Sequence, residues 1–267
     1  MSQIAKPFIR WAGSKKQILP TLSTYWKADN KRYIEPFMGS ACLFFSINPP
    51  EAILSDVNQE LITTFLAIKN KPIEVYNGLI LLPFGENDYY EIRKKDVSKL
   101  NDIEIASRFI YLNRYCFNGL YRTNLSGFFN VPFSGKKVGN LPSLDDLLLA
   151  SEALQSAELK CRDFSEILSD IREGDFIYLD PPYAVANSKI FTQYGPQTFG
   201  LDDINRLKTL LEVIDKSGAT FLLSYANCEE ALNAFEGWNT NTINIRRNIA
   251  GFSKYRKSAY ELLVSNK

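Results

Sequence analysis

Asp180, Pro181, Pro182 and Tyr183 stand directly behind the apolar run Phe176, Ile177, Tyr178, Leu179, which Gly174 precedes. A short apolar run closed by paired prolines reads as a buried strand that stops abruptly. The Asp180 carboxylate is then at the strand's C-terminal edge, where open α/β sheets bind their ligands. The prolines stiffen the loop that follows, which suits it to holding a polar group in one geometry. Taken alone, the four residues can also be read as an acidic turn with a proline stop, and nothing in them says which group they would serve.

A second constellation lies earlier in the chain. Tyr33 to Met38 reads as a strand that ends in Gly39, Ser40 and Ala41, after which Cys42 to Phe45 opens a helix. A strand, a small-residue turn and a helix N-terminus form a nucleotide cradle. The signal is weak by itself, because the full G-x-G-x-x-G fingerprint is absent. Ala52 to Ser55 gives a second strand closed by Asp56, about 20 residues further on, where such folds place an acid on ribose hydroxyls. Asp56 can equally be the cap of the helix that follows.

Composition narrows the chemistry. With 267 residues, 45% of them hydrophobic, the chain can bury a sizeable core. It contains no histidine, which excludes Ser/His/Asp and Cys/His nucleophile systems and His-ligated zinc or nuclease sites. Cys42, Cys116, Cys161 and Cys228 are too far apart for a metal knuckle or a redox pair. No metal is expected. The start lacks a signal-peptide pattern and no apolar stretch is long enough to span a membrane, so a soluble, cytoplasmic protein is expected.

The net charge of +1 hides a strong segregation. Residues 1–34 carry seven Lys/Arg against Asp29 alone, while 105–140 and 243–257 each carry five Lys/Arg and no acid. Clustered cations on an otherwise acidic body fit a polyphosphate partner. The middle cluster also holds Tyr111, Tyr115, Phe117, Asn118, Tyr121, Asn124, Phe128, Phe129 and Asn130, residue types suited to stacking and base-edge contacts.

The elements that must position these residues follow from periodicity. Helices are expected over 58–68, through most of 72–118 with a strong one over 105–116, and over 144–156, 201–216 and 229–235. A loop and hairpin module is expected over 118–142, a strand over 157–161 ending at Asp163 and Phe164, and a short helical stretch over 165–170. Further strands are expected at 176–179 and 219–225. The polar segment 184–200 is too long for a mere connector, and 240–247 with 257–265 reads as an antiparallel ribbon. Strands alternating with helices, interrupted by a helical and loop-rich stretch, imply an α/β sheet with a second small domain.

On these residues the chain resembles the Dam family of DNA adenine methyltransferases (D12 class, cofactor motif before the catalytic one). The resemblance rests on six blocks in family order: Phe8 to Gly13 with Lys15; Glu35, Pro36, Phe37 with Gly39; Ser55 and Asp56; Leu112, Asn113, Arg114 through Asn118 to Arg122; Phe129 to Pro132; and Asp180 to Tyr183. It implies a Rossmann-like, seven-stranded S-adenosylmethionine-dependent methyltransferase fold, with residues 1–70 and 157–267 catalytic and an inserted DNA-recognition domain at 71–156. It implies Trp11, Lys15, Phe37, Gly39, Asp56, Asp163, Phe164 and Asp180 around S-adenosylmethionine, with Asp56 on the ribose and Phe164 against the adenine. Asp180, Pro181, Pro182 and Tyr183 would act on an adenine flipped from double-stranded DNA.

For sequence reading, the resemblance implies Arg122 on a guanine, Leu120 and Pro132 against neighbouring bases, and Phe117 wedged where the adenine was, beside Asn118. Arg10 would read an outer guanine. Arg114, Asn124, Lys136 and Lys137 would contact phosphates. The implied target is GATC, the implied setting a prokaryote or phage, and the implied state a monomer without an obligatory protein partner. Ser14, Ser40, Ala41 and Arg10 depart from the family pattern, which bears on the target rather than on the reaction. Methylation of cytosine N4, RNA adenine or a protein amide, and DNA binding without catalysis, are the competing readings.

Overall fold

In the computed structural model, residues 4–124, 126–135, 138–183, 199–246 and 258–267 are described. Among them seven strands form one sheet: β1 Arg32–Glu35, β2 Ala52–Asp56, β3 Ala157–Cys161, β4 Asp175–Leu179, β5 Thr220–Ala226, β6 Asn239–Arg246 and β7 Ser258–Ser265. Their order is β3-β2-β1-β4-β5-β7-β6. Strands β1 to β5 run parallel, and β7 lies antiparallel to both β5 and β6. All of β4 is buried, as a continuous apolar run in the middle of a sheet must be. The polar Asn/Thr alternation of β6 puts that strand at the edge.

Both faces of the sheet are covered. Helix α8 (Leu201–Lys216) and α9 (Glu229–Ala234) pack Leu207, Leu211 and Ala231 against Ile177, Phe221 and Val264. On the other face lie α2 (Cys42–Ile47), α3 (Gln59–Asn70) and the helices of the central stretch: α4 (Pro72–Ile80), α5 (Glu86–Lys94), α6 (Asp102–Tyr115) and α7 (Leu144–Leu154), with the short α1 (Leu19–Ser23) nearby. Phe65, Ile110 and Leu147 share one apolar cluster with Tyr33, Leu54 and Phe176 of the sheet. The helices α6 and α7 are therefore anchored in the same core as the strands. No described helix is long and apolar enough to cross a membrane.

The register of the two central strands is pinned by a buried ion pair. Arg32 and Asp175 face each other across β1 and β4, with Nε and Nη2 donating to the two carboxylate oxygens at 3.0 and 2.7 Å. A slip of one residue would turn every side chain to the wrong face. The register runs from Arg32 opposite Asp175 to Ile34 opposite Ile177, so the two strands end within about one residue of each other. Strand order reverses at this point, β2 lying on one side of β1 and β4 on the other, and the crevice beyond such a reversal is where ligands enter.

The expected elements appear with shifted ends. The strand expected over 33–38 stops at Glu35, because Pro36 has no N–H to continue the ladder; Met38 instead donates to the Ser55 carbonyl at 3.0 Å. The helical stretch 72–118 divides into α4, α5 and α6. Residues 164–169 form a 3-10 helix rather than an α-helix. The polar loop expected over 184–200 lies outside the described residues except for Phe199 and Gly200.

Candidate active site

Gly39 follows β1 with φ +45°, and a Cβ there would lie 2.6 Å from the Trp11 indole. Both the backbone and the indole therefore require glycine. Asp56, at the end of β2, accepts the Gly39 N–H at 3.1 Å and the Asn58 N–H at 3.0 Å, which ties the turn after β1 to the neighbouring strand. Burial pushes its carboxyl up to about 6, against these backbone bonds, which lower it. The reading of Asp56 as the cap of α3 is corrected here: the cap is Asn58, whose side chain accepts from Leu61 N–H, while Asp56 ties the turn after β1 to β2.

Phe37 stacks on Phe164 with ring centroids 5.1 Å apart, and the Arg206 guanidinium lies 4.6 Å over the same Phe164 ring. Asp163 accepts from the backbone and hydroxyl of Ser165 and pairs with Arg206. Trp11, Phe37, Gly39, Asp56, Asp163 and Phe164 thus gather along the C-terminal ends of β1, β2 and β3.

The adjoining corner holds the proline loop. Lys15 Nζ is 2.7 Å from Asp180 Oδ1 and 3.0 Å from Glu261 Oε1, and it donates to the Tyr183 hydroxyl and the Gly13 carbonyl, each at 3.1 Å. Tyr183 donates in turn to Glu261 Oε1 at 2.8 Å. Burial opposes charge on Lys15, yet Asp180, Tyr183, Tyr178 and Glu261 outweigh it and raise its pKa well above the ordinary value. Burial also pushes Tyr183 up. Behind them Glu35, bonded to the Tyr33 hydroxyl at 3.0 Å, is raised well above the usual carboxyl range by burial, with Asp180 and Asp56 adding to the effect. This arrangement can accept N–H bonds at Asp180 without any histidine.

The loop module after α6 is built from short antiparallel contacts, Cys116 with Phe133 and Thr123 with Phe129. Phe117 N–H bonds to the Pro132 carbonyl at 2.9 Å and Asn130 N–H to the Arg122 carbonyl at 3.0 Å. Phe117, Asn118, Arg122, Asn124 and Pro132 all come out exposed on it, with Leu120 half-buried. Asn118 has φ 57°, a left-handed turn that asparagine tolerates. Arg122 Nε donates to Asn130 Oδ1 at 2.7 Å. Asn124 accepts from the backbone of Ser126 and Phe128, so its side chain shapes the hairpin tip. Arg114 donates through Nη2 to the Phe8 carbonyl at 2.5 Å. Lys136 and Lys137 lie outside the described residues.

One segment, residues 8–15, joins the module to the crevice. Asn113 on α6 exchanges two 2.8 Å hydrogen bonds with the backbone of Arg10. A Cβ at Gly119 or Gly139 would lie 2.5 or 2.0 Å from the Arg10 side chain, so these glycines make its channel. Trp11 stacks on Tyr121 with centroids 5.6 Å apart, and Lys15 then reaches Asp180.

The family model for the D12 class of N6 adenine-specific DNA methyltransferases matches residues 11–249. The chain belongs to this class. The D12 chain is similar to the type II methyltransferase M.MjaIII of Methanocaldococcus jannaschii, at 34% identity over 98% of this chain and 99% of the relative. It is 30% identical to the type II methyltransferase M1.LlaDCHI of Lactococcus lactis subsp. cremoris, over 98% and 95%. The DNA adenine methylase of Escherichia coli K12 is 28% identical over 97% and 94%.

The methyl donor of this D12 methyltransferase is S-adenosylmethionine, and the crevice fits it. The buried Asp56 carboxylate, an acceptor suited to hydroxyl donors, stands beside a backbone kept bare by a glycine that no Cβ could replace. Sequence reasoning about the methyltransferase missed Glu261 and the part played by Tyr121. Glu261 leaves a faint sequence signal, the lone acid ahead of the apolar Leu262, Leu263 and Val264.

Proposed function

We propose that this enzyme methylates the N6 amine of an adenine flipped out of double-stranded DNA, within GATC, using Asp180 and the Pro181 carbonyl as acceptors for the two amine N–H groups. Bound S-adenosylmethionine supplies an electrophilic methyl. The adenine amine is the poor partner, because its lone pair is delocalised into the ring. Asp180 and Pro181 draw that lone pair toward nitrogen, and Tyr183 stacks on the flipped base. The donor would give up its methyl to the amine nitrogen and keep the sulfur–carbon electron pair, while Asp180 takes the amine proton and passes it to solvent. Trp11, Phe37, Gly39, Asp56, Asp163 and Phe164 bind the donor, with Lys15 fixing Asp180 beside it.

Residues 71–156 are the target-recognition domain in this reading, and 1–70 with 157–267 the catalytic one. Arg122 reads a guanine, as arginine most often does in specific contacts; Arg10 reads an outer guanine, Phe117 fills the vacated stack beside Asn118, and Leu120 and Pro132 face neighbouring bases. Arg114, Asn124, Lys136 and Lys137 serve phosphates. The protein works as a monomer in the cytoplasm of a prokaryote or phage host. The observation that carries the proposal is the position of Asp180 at the end of β4, at the strand-order reversal and 2.7 Å from the Lys15 ammonium.

The test is incubation with labelled S-adenosylmethionine and unmethylated DNA, followed by mapping of the label by base and sequence. Label on adenine N6 in GATC is expected. Label on cytosine overturns the adenine reading, and label on adenine in other contexts overturns the GATC reading alone.

A further inference from the structure

Glu261 is a buried carboxylate on the closing strand, far from the prolines in sequence, with no part in the reaction described so far. It sits opposite Ala226 of β5 and Ile243 of β6, inside the sheet, and its side chain is only 1% exposed. A carboxylate buried there costs free energy unless it is paired, and an apolar residue would serve the fold more cheaply. Lys15 does not need it for pairing, because Asp180 is the nearer acid at 2.7 Å against 3.0 Å.

We infer that Glu261 is a positioning residue for methyl transfer: it shares the Lys15 ammonium with Asp180 and fixes the Tyr183 hydroxyl, so that Asp180 stays a strong acceptor for the substrate amine. The inference rests on the role of Asp180 proposed above. An ammonium with a single carboxylate partner directs its whole field at that partner and weakens it as an acceptor for anything else. Divided between two carboxylates, the same ammonium holds Asp180 in place with less loss of basicity. Glu261 Oε1 does this while accepting the Tyr183 hydroxyl at 2.8 Å, which sets the direction of the ring. Lys15, Tyr183 and Glu261 thus form a closed set of hydrogen bonds around Asp180, drawn from the segment before α1, the proline loop and β7.

Glu261→Gln removes the charge but keeps the size and an acceptor oxygen, so it separates this role from packing. With the full-length chain, S-adenosylmethionine and unmethylated duplex DNA, the variant should lose about tenfold to a hundredfold in kcat, the scale of one preorganised electrostatic contact. Donor affinity by calorimetry, DNA affinity and melting temperature should stay near wild type. Glu261→Asp, which keeps the charge on a shorter side chain, should be faster than the Gln variant. In a Lys15→Gln background the further change Glu261→Gln should alter kcat by less than about twofold, as expected when one residue acts through the other. Wild-type kcat in Glu261→Gln, a loss confined to KM, an Asp variant slower than the Gln variant, or additive losses with Lys15→Gln would overturn the inference.

A measurement without turnover separates this failure from failure of the adenine reading. Trace acetylation of Lys15 by acetic anhydride, read by mass spectrometry, should be several-fold faster in Glu261→Gln, because less of the ammonium is stabilised; equal rates overturn the role of Glu261. Wild-type label on a base other than adenine, with the acetylation difference intact, would instead overturn the substrate assignment and leave Glu261 as the residue that tunes Asp180.

Discussion

Both oxygens of Asp56 already accept backbone N–H bonds, from Gly39 and Asn58, and burial raises the carboxyl to about 6. In the proposed contact of Asp56 with the ribose hydroxyls, donor binding needs the ionised form, and the proton must leave when pH lies below that value. Donor affinity should therefore be level above pH 7 and about tenfold weaker at pH 5, following one proton; calorimetry across that range checks it, and Asp56→Asn should remove the slope. Beside it, Gly39→Ala places a Cβ 2.6 Å from the Trp11 indole, so the variant should bind the donor at least tenfold more weakly, unlike a substitution at an open surface glycine. On the loop module after α6, the proposed guanine contact predicts that Arg122→Ala should leave non-specific DNA binding nearly unchanged and relax discrimination at one base pair by about 1–3 kcal/mol. Methylation rates on duplexes carrying each single substitution in the target would show this.

The pairing of β1 with β4 is what sets the Gly39 turn beside the Asp180 loop. Arg32 and Asp175 hold that pairing with side chains 6% and 3% exposed. Replacing Asp175 with Asn leaves a buried guanidinium under-compensated, which should lower stability by about 3 kcal/mol in urea unfolding. These strands were legible in the sequence because fully buried strands write themselves as apolar runs and prolines mark where they stop. The pin itself was not, since pairing two distant charges requires knowing which strands are neighbours. The subdivision of 72–118 was also hidden: α4 to α6 share apolar periodicity, and only the breaks around Pro83 and Leu100 separate them.

At the scale of the molecule, the N-terminal segment links the loop module after α6 to the crevice: Arg10 bonds Asn113, Trp11 stacks on Tyr121, and Lys15 reaches Asp180. Local motifs mark Asp56 and Asp180 and the family resemblance adds Trp11 and Lys15, yet their arrangement depends on a fold that brings residue 15 beside residues 180 and 261. Glu261 escaped notice for the same reason, because one acid in an apolar strand carries no motif. The segregated basic segments make a whole-molecule prediction: DNA affinity should fall about a thousandfold as salt rises from about 50 to 200 mM, the behaviour of several phosphate contacts. The most direct test of the central claim is single-turnover methyl transfer by wild type and Asp180→Ala on unmethylated duplex DNA, with donor and DNA affinities measured in parallel. Wild type should label adenine N6, and the variant should bind both ligands within severalfold of wild type yet transfer methyl at least about a thousandfold more slowly. Transfer by Asp180→Ala within tenfold of wild type would contradict the account.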